Sequence, residues 1–587
     1  MTVDPFLPRP VDLPMPVPLD GPLDALDGGK ILAAPDDPAE WPAWRAALSR
    51  WRDEARERVR HDGSAYERPP LRWTQRCFAC ALVWLWDELL YDHDGQRFTP
   101  EQLLDEAERE FGGYDGLVLW HAYPVIGIDD RNQFDFYRDV PGIAELVAAI
   151  KARGVRVFLD YNPWDTGTRR EPVSDADAVA EIVRWLGADG VFLDTMKEAM
   201  PGLLAAVPDV ALEGEGTLLL PRIRDHHLSW AQWFADSAVP GVIRARLFEQ
   251  RHMLHHTRRW NRDHTEELRS AWLNGVGVLV WENVFGSWVG WNERDRATLR
   301  WMTALQRRHV DLLTFGEWTP LAARSDDLRV VGSRWQDGTL DLWALANRSD
   351  APFDGEVALG DRRLRIALPS LGLAAVTGEG VAVTASGSDA FPARRAVRLE
   401  TPFVLAAEDR DGFVPGPEPR PLVARFRRRE TGIYGEAPYV GAWKPLPPLL
   451  HDVVEVERPG PSGRYAIGVR EVTGVDGAPL TGFSLAEARA YAVSAGARLP
   501  TEDEWQLAAE AGLLERASPL VWNWTESEHS DGRTRFAILK GGSGWKAEGS
   551  DWYVDGGPQE PAFSLELLLT GPLERSPRIG FRLAVDL

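Results

Sequence analysis

The sequence predicts a multidomain α/β protein: an eight-fold (β/α) barrel, a small antiparallel β-sandwich behind it, and a separate loop-rich C-terminal unit. Three observations carry this. Strand and helix patterns alternate from residue 71 to 321, close to the roughly 250 residues that such a barrel occupies. Within that stretch four apolar runs, at 155–160, 190–194, 210–215 and 278–282, end on the carboxylates Asp160, Asp194, Glu213 with Glu215, and Glu282. A short continuous apolar run reads as a strand buried on both faces. Each acid then falls at a strand's C-terminal rim, where barrel enzymes gather their catalytic groups. Beyond residue 317 the texture changes to short alternating segments parted by turns.

The elements follow in order. Residues 1–70 combine an extended arm rich in Pro, Asp and Leu with a helix at 41–60, where Trp41, Trp44, Ala47, Leu48 and Trp51 recur at helical spacing. Barrel strands are predicted at 78–86, 116–121, 155–160, 190–194, 210–213, 228–234, 277–282 and 310–315, with helices at 99–111, 143–153, 175–186, 242–252 and 293–308. No Gly-rich phosphate loop follows the first strand, which sets aside a doubly wound nucleotide-binding sheet. Segments at 328–331, 340–344, 356–359 and 364–368, parted by turns such as Gln336-Asp337-Gly338, read as the sandwich, 322–385. Pro-rich connections at 415–421 and 445–448 belong to the last unit, 396–587.

Composition narrows the function class. The chain has 587 residues, 66 basic and 89 acidic, for a net charge of −23. That balance argues against nucleic-acid and anionic-membrane partners. No basic segment followed by an apolar one opens the chain, and the longest apolar run falls well short of the roughly 20 residues that span a bilayer. The only cysteines are Cys77 and Cys80, so a disulfide framework is excluded and a cytoplasmic location is expected. The 26 Trp suit stacking on sugar rings as well as a large core. Nothing marks the oligomeric state.

Cleaving a glycosidic bond takes two carboxyl groups, one nucleophilic or basic and one protonated. Asp194, in Val191-Phe192-Leu193-Asp194 on the fourth strand, resembles the nucleophile of the α-amylase and α-galactosidase types of barrel glycosidase. Glu213 and Glu215 on the next strand are the candidate acids. A barrel followed by a sandwich is also the common build of hydrolases of α-linked sugars. Those families carry Arg or Lys where this chain has Phe192, and the amylase Asn-His-Asp motif is replaced by Trp281-Glu282-Asn283. Asp160, Trp164, His121, Tyr123, Asp130, Arg131, Trp281 and Glu282 are the candidate substrate-binding residues. Competing readings are a helix cap for Asp194, a solvated loop for the two glutamates, turn chemistry around Asp160, and a surface ion pair for the Asp130-Arg131 cluster. A carbohydrate-binding or scaffold protein with an inactive barrel is the alternative for the whole.

His226, His227, His252, His255, His256 and His264 invite a metal reading, but no metalloprotease pattern joins them, and His252 with His256 reads as a helix pair. Cys77 and Cys80 form a lone C-x-x-C inside an apolar strand; zinc would need two more thiols or histidines nearby, so two buried structural thiols are expected. No metal is expected in the barrel.

The final unit contains Ala497-Arg498-Leu499-Pro500-Thr501-Glu502-Asp503-Glu504-Trp505, then Val521-Trp522-Asn523-Trp524-Thr525, Lys540-Gly541-Gly542-Ser543-Gly544-Trp545 and Gly580-Phe581-Arg582. Tyr465-Ala466-Ile467 and Arg470-Glu471-Val472-Thr473 precede them in order. It resembles the formylglycine-generating enzyme family, or sulfatase-modifying factors, which implies a C-type-lectin-like fold. The family's copper is held by a cysteine pair, one member directly after the terminal Gly-Phe-Arg. Here that position is Leu583, so neither copper nor oxidase activity is expected, whereas loop oxygens leave room for calcium. The domain is expected to be non-catalytic and to pack on the barrel.

Overall fold

The computed structural model describes residues 13–125, 128–163, 169–232, 239–257, 263–284, 287–288, 290–390, 411–427, 453–458, 460–530, 532–546 and 556–587. Eight parallel strands close a barrel: β1 (Ala79–Trp84), β2 (Gly116–Trp120), β3 (Arg156–Tyr161), β4 (Gly190–Leu193), β5 (Ala211–Gly214), β6 (Leu228–Gln232), β7 (Met253–Thr257) and β8 (Gly277–Val280). Each pairs with its neighbour in chain order, and β8 pairs with β1. Except for Arg156, every described side chain in these strands is buried, because side chains fill the inside and helices cover the outside.

The helices Pro100–Phe111, Ile143–Ala152, Asp175–Leu186, Thr265–Asn274 and Glu293–Arg308 supply that cover. Their ends follow local chemistry. Ser174 accepts the amide of Asp177 to start the third of them, and Gly187, at φ 64°, ends it.

Two elements differ from the sequence reading. Residues 310–315, expected as a strand, form the helix Val310–Phe315, and the eighth strand is Gly277–Val280. A six-residue apolar run has no periodicity to separate strand from helix. The helix expected at 242–252 is instead a two-residue strand and the short helix Arg244–Phe248, followed by β7. His252 and His256 therefore do not share a helix face. The polar Met253-Leu254-His255-His256-Thr257 hid a barrel strand because its histidines find partners inside the barrel.

Behind the barrel lies a seven-stranded antiparallel sheet running from Glu317 to Val383. Its first strand, Glu317–Ser325, shifts register between Thr319 and Ala323 and pairs on both sides. The sheet folds around its own core of Trp343, Leu345, Phe353, Val357 and Ile366. The N-terminal helix Trp41–Val59 buries Trp41, Trp44, Leu48 and Trp51, and Trp51 Nε1 donates to Asp27 Oδ1 at 3.0 Å.

The C-terminal domain holds a three-stranded and a six-stranded sheet. Its helices, Leu485–Ser494 and Glu502–Glu510, each open on a capping box, Ser484 with Glu487 and Thr501 with Glu504. The domain rests on the barrel mouth. The amide of Glu88 donates to the Arg533 carbonyl at 2.7 Å, Trp84 meets the Phe536 ring at 6.5 Å, and Asn283 Nδ2 reaches Thr534 Oγ1 at 3.4 Å. Among the described residues no helix is long and apolar enough to cross a membrane.

Candidate active site

Asp160 is the penultimate residue of β3 and Asp194 directly follows β4, on neighbouring strands. The Tyr123 hydroxyl lies 2.9 Å from Asp160 Oδ2 and 3.0 Å from Asp194 Oδ2. The two oxygens are thus within 5.9 Å of each other, the sum of those bonds. A phenol carries one proton, so the hydroxyl donates to one carboxylate at a time and couples the two. Asn162 Nδ2 donates to the same Asp194 oxygen at 2.8 Å. Asn162 is itself fixed by Gln133, through 2.9 Å and 2.6 Å bonds to its amide and carbonyl. The Tyr137 hydroxyl accepts the amide of Asp160 at 2.8 Å. Asp160 is buried, whereas Asp194 is partly exposed, the balance expected of a supporting and a reacting group.

The backbone here is held in an unusual state. Ala122 (φ 59°), Tyr123 (φ 50°) and Thr195 (φ 62°) occupy the left-handed region. That region disfavours bulky and β-branched side chains, and such strain gathers at functional sites. The helix-cap reading of Asp194 does not hold: the next helix, Leu203–Ala206, has Gly202 at its N-cap.

The two candidate acids part company. Glu215 lies past the end of β5, where its amide donates to the Leu193 carbonyl at 3.2 Å and its carboxylate accepts the Thr195 amide at 2.6 Å. It is therefore anchored to the residue that follows Asp194. Glu213 points into the barrel, fully buried, with Oε1 2.5 Å from His255 Nδ1. Strand alternation would aim residues two apart alike, but β5 ends at Gly214, between the two glutamates.

The other sequence candidates divide. His121 is buried, and burial alone pushes its pKa down to about 3, so it is a neutral imidazole. Its Nδ1 accepts the Tyr123 amide at 3.1 Å, and the ring packs on Tyr123, Phe136 and Tyr137. It supports Tyr123 rather than lining a cleft. Arg131 is committed to docking: it pairs with Asp129 at 2.6 Å and donates to the carbonyls of Leu573 (2.7 Å) and Arg575 (3.0 Å) in the C-terminal domain. Asp130 is exposed. Trp281 is buried against Trp230, ring centroids 5.7 Å apart, and Trp164 lies outside the described residues.

Elsewhere on the same rim Asp87, after β1, and Glu282, after β8, are bridged by Arg533 of the C-terminal domain. Arg533 Nε lies 3.0 Å from both Asp87 oxygens, and an Nη is 3.5 Å from Glu282 Oε2. Burial would lower the Arg533 pKa, but the two carboxylates hold it charged. Sequence reading missed Asn162, Gln133, Tyr137, Asp87 and Arg533. Asn162 alone had a usable signal: it stands two residues beyond Asp160, on the same side of an extended chain.

The family model of the sulfatase-modifying factor enzyme 1-like domain matches residues 455–520. No significant match is found among curated protein sequences. Several solved structures align with about half of the chain. A debranching enzyme from Nostoc punctiforme shares 11% identity at a TM-score of 0.34, over 51% of this chain and 97% of its own. A noncanonic maltogenic α-amylase from Thermotoga neapolitana shares 10% at 0.33, over 53% and 99%. The cyclic α-maltosyl-(1→6)-maltose hydrolase from Arthrobacter globiformis shares 12% at 0.33, over 52% and 99%. The neighbours are amylase-type glycoside hydrolases, and the C-terminal domain of this chain carries the sulfatase-modifying factor signature.

Proposed function

We propose that the protein is a cytoplasmic glycoside hydrolase acting through Asp194 and Glu215. The observation that supports this most is their placement: a partly exposed Asp194 held by Tyr123 and Asn162, beside a Glu215 anchored on the neighbouring residue. Asp194 would attack the anomeric carbon as the glycosidic C–O bond breaks, while Glu215 hands its proton to the leaving oxygen. Asp160 and Tyr123 position Asp194. Glu213 is not the acid in this reading, since a fully buried carboxylate beside His255 has no route to a sugar.

The test is hydrolysis of a panel of aryl glycosides by wild type, Asp194→Asn and Glu215→Gln. Both variants should lose about 10²–10⁴-fold in kcat, and the Glu215→Gln loss should shrink on substrates whose leaving group needs no proton. Equal rates for all three proteins would end the assignment.

One observation favours a second reading, a carbohydrate-binding protein with an inactive barrel. Phe192, where the amylase and galactosidase types carry a cation, is buried and stacked on Trp230, ring centroids 4.4 Å apart. Retained sugar binding without turnover in wild type would select that reading. The C-terminal domain is inferred to be a non-catalytic support, because both thiols of the chain lie in the barrel and copper(I) prefers thiolates.

A further inference from the structure

Below the mouth, inside the barrel, metal-ligating side chains meet from strands far apart in sequence. Cys80 on β1, Glu213 on β5 and His255 on β7 are fully buried, and one donor atom from each lies within 4.8 Å of the other two. Cys77 brings a second thiol beside Cys80, just outside that group of three. A Cβ on Gly116 of β2 would come to 3.1 Å from Cys77 Sγ and 3.4 Å from Cys80 Sγ. Glycine there leaves the room that the two sulfurs occupy.

The hydrogen bonds of His255 constrain what lies between these groups. Its Nε2 is 2.7 Å from the Cys77 carbonyl oxygen, which can only accept, so Nε2 bears the hydrogen. In the neutral ring Nδ1 is then a lone pair, and it faces Glu213 Oε1 at 2.5 Å. Two acceptors at that distance hold a proton between them, since zinc bonded at about 2.0 Å to each would keep them more than about 3 Å apart. A proton answers that contact alone. It leaves Glu213 Oε2, which has no hydrogen-bond partner among the described residues, unmet in the barrel interior, where such a group is costly. A metal cation that displaces this proton, with the Glu213 and His255 side chains parting to about 3 Å, engages the carboxylate, the imidazole and the Cys80 sulfur together. An imidazole whose other N–H is bound by a backbone carbonyl is also how metal-ligating histidines are commonly fixed.

We propose that the barrel core is a structural zinc site, with Cys80, Glu213 and His255 Nδ1 as ligands and the adjacent Cys77 thiol moving in as the fourth. Four mixed sulfur, nitrogen and oxygen donors, none solvent-facing, suit a closed tetrahedral zinc site. Magnesium and calcium take oxygen donors and would reject the thiols. Uptake of the ion would release the thiol protons, and any proton on the Glu213–His255 pair, to solvent. The lone C-x-x-C lacked two further ligands in sequence, and the fold supplies them from β5 and β7. The site is independent of the glycosidase reading.

The test uses the full-length protein, produced without a polyhistidine tag and purified without chelator. Elemental analysis should find zinc close to one per chain in wild type, falling by at least about ten-fold in Cys80→Ser. Cobalt-reconstituted wild type should show thiolate-to-cobalt charge-transfer absorption, and Cys80→Ser should lose most of it. If the variant fails to fold, wild type alone decides: substoichiometric zinc, or a cobalt protein without thiolate charge transfer, overturns the proposal. Full zinc occupancy in a folded Cys77→Ser, Cys80→Ser double variant would overturn it as well. Activity of the Asp194→Asn variant has no bearing on either outcome.

Discussion

Tyr123 is the residue on which the candidate site turns, because one phenol proton serves both Asp160 and Asp194. Tyr123→Phe removes that proton and keeps the ring that packs on His121. A hydrogen bond to a charged group contributes about 1.5–3 kcal/mol, so kcat on an aryl glycoside should fall about 10- to 100-fold with the fold intact. An unchanged kcat would mean that Asp194 needs no such support. At this scale the sequence exposed Asp160, Asp194 and Glu215 because a carboxylate after an apolar run is conspicuous. It could not separate Glu213 from Glu215, since that depends on where β5 stops. The role of His121 was equally hidden: a histidine at a strand end reads as a sugar ligand, and only the packing of three rings around it makes it a support.

Elements are positioned by their ends as much as by their faces. Glu574 shows this on the helix Leu485–Ser494, whose first amide, that of Leu485, donates to Glu574 Oε1 at 2.8 Å, with the Thr570 amide on the other oxygen at 3.2 Å. Burial raises this carboxyl from 4.5 to about 7, against the pull of those two amides. A raised carboxyl pKa means that the folded state holds its proton longer than the unfolded one. The contribution is therefore fully present below about pH 4.5 and is lost as pH rises through about 7, at about 1 kcal/mol per pH unit within that window. Melting temperature should fall between about pH 5 and pH 8, and Glu574→Gln should flatten the slope. Glu526, also pushed up to about 7 by burial despite Arg489, should leave a smaller slope of the same sign. A variant as steep as wild type would put the titration elsewhere. Element type was legible wherever the pattern was long, as in the Trp-lined helix Trp41–Val59. It failed at 310–315, too short to show a period, and at β7, where buried His255 and His256 break the apolar run that strand reading depends on.

Over the whole molecule, the rim carboxylates fall into two groups with different fates. Those at the ends of β3, β4 and β5 meet at the candidate site, whereas those after β1 and β8 are sealed by Arg533 from a domain more than 200 residues away in sequence. No local pattern announces such a pairing, because nothing in the chain around Arg533 refers to Asp87 or Glu282. The C-terminal domain was expected to pack on the barrel, but the contact that fixes its placement was not legible. The physics of the clamp yields a sharp expectation. Arg533→Met leaves Asp87, whose side chain is 2% exposed, and Glu282, at 14%, as like charges without the cation that joins them. Breaking a buried pair in this way costs about 3–5 kcal/mol. Replacing all three charges together, with Arg533→Met, Asp87→Asn and Glu282→Gln, removes the uncompensated charge, and such neutral replacements are often close to neutral in stability. The triple variant should therefore recover most of what the single variant loses in denaturant unfolding. If the single variant is as stable as wild type, the clamp contributes nothing. If the triple variant is weaker than the single one, the loss lies in packing at the domain contact, and docking rests on Trp84, Phe536 and Arg131 instead.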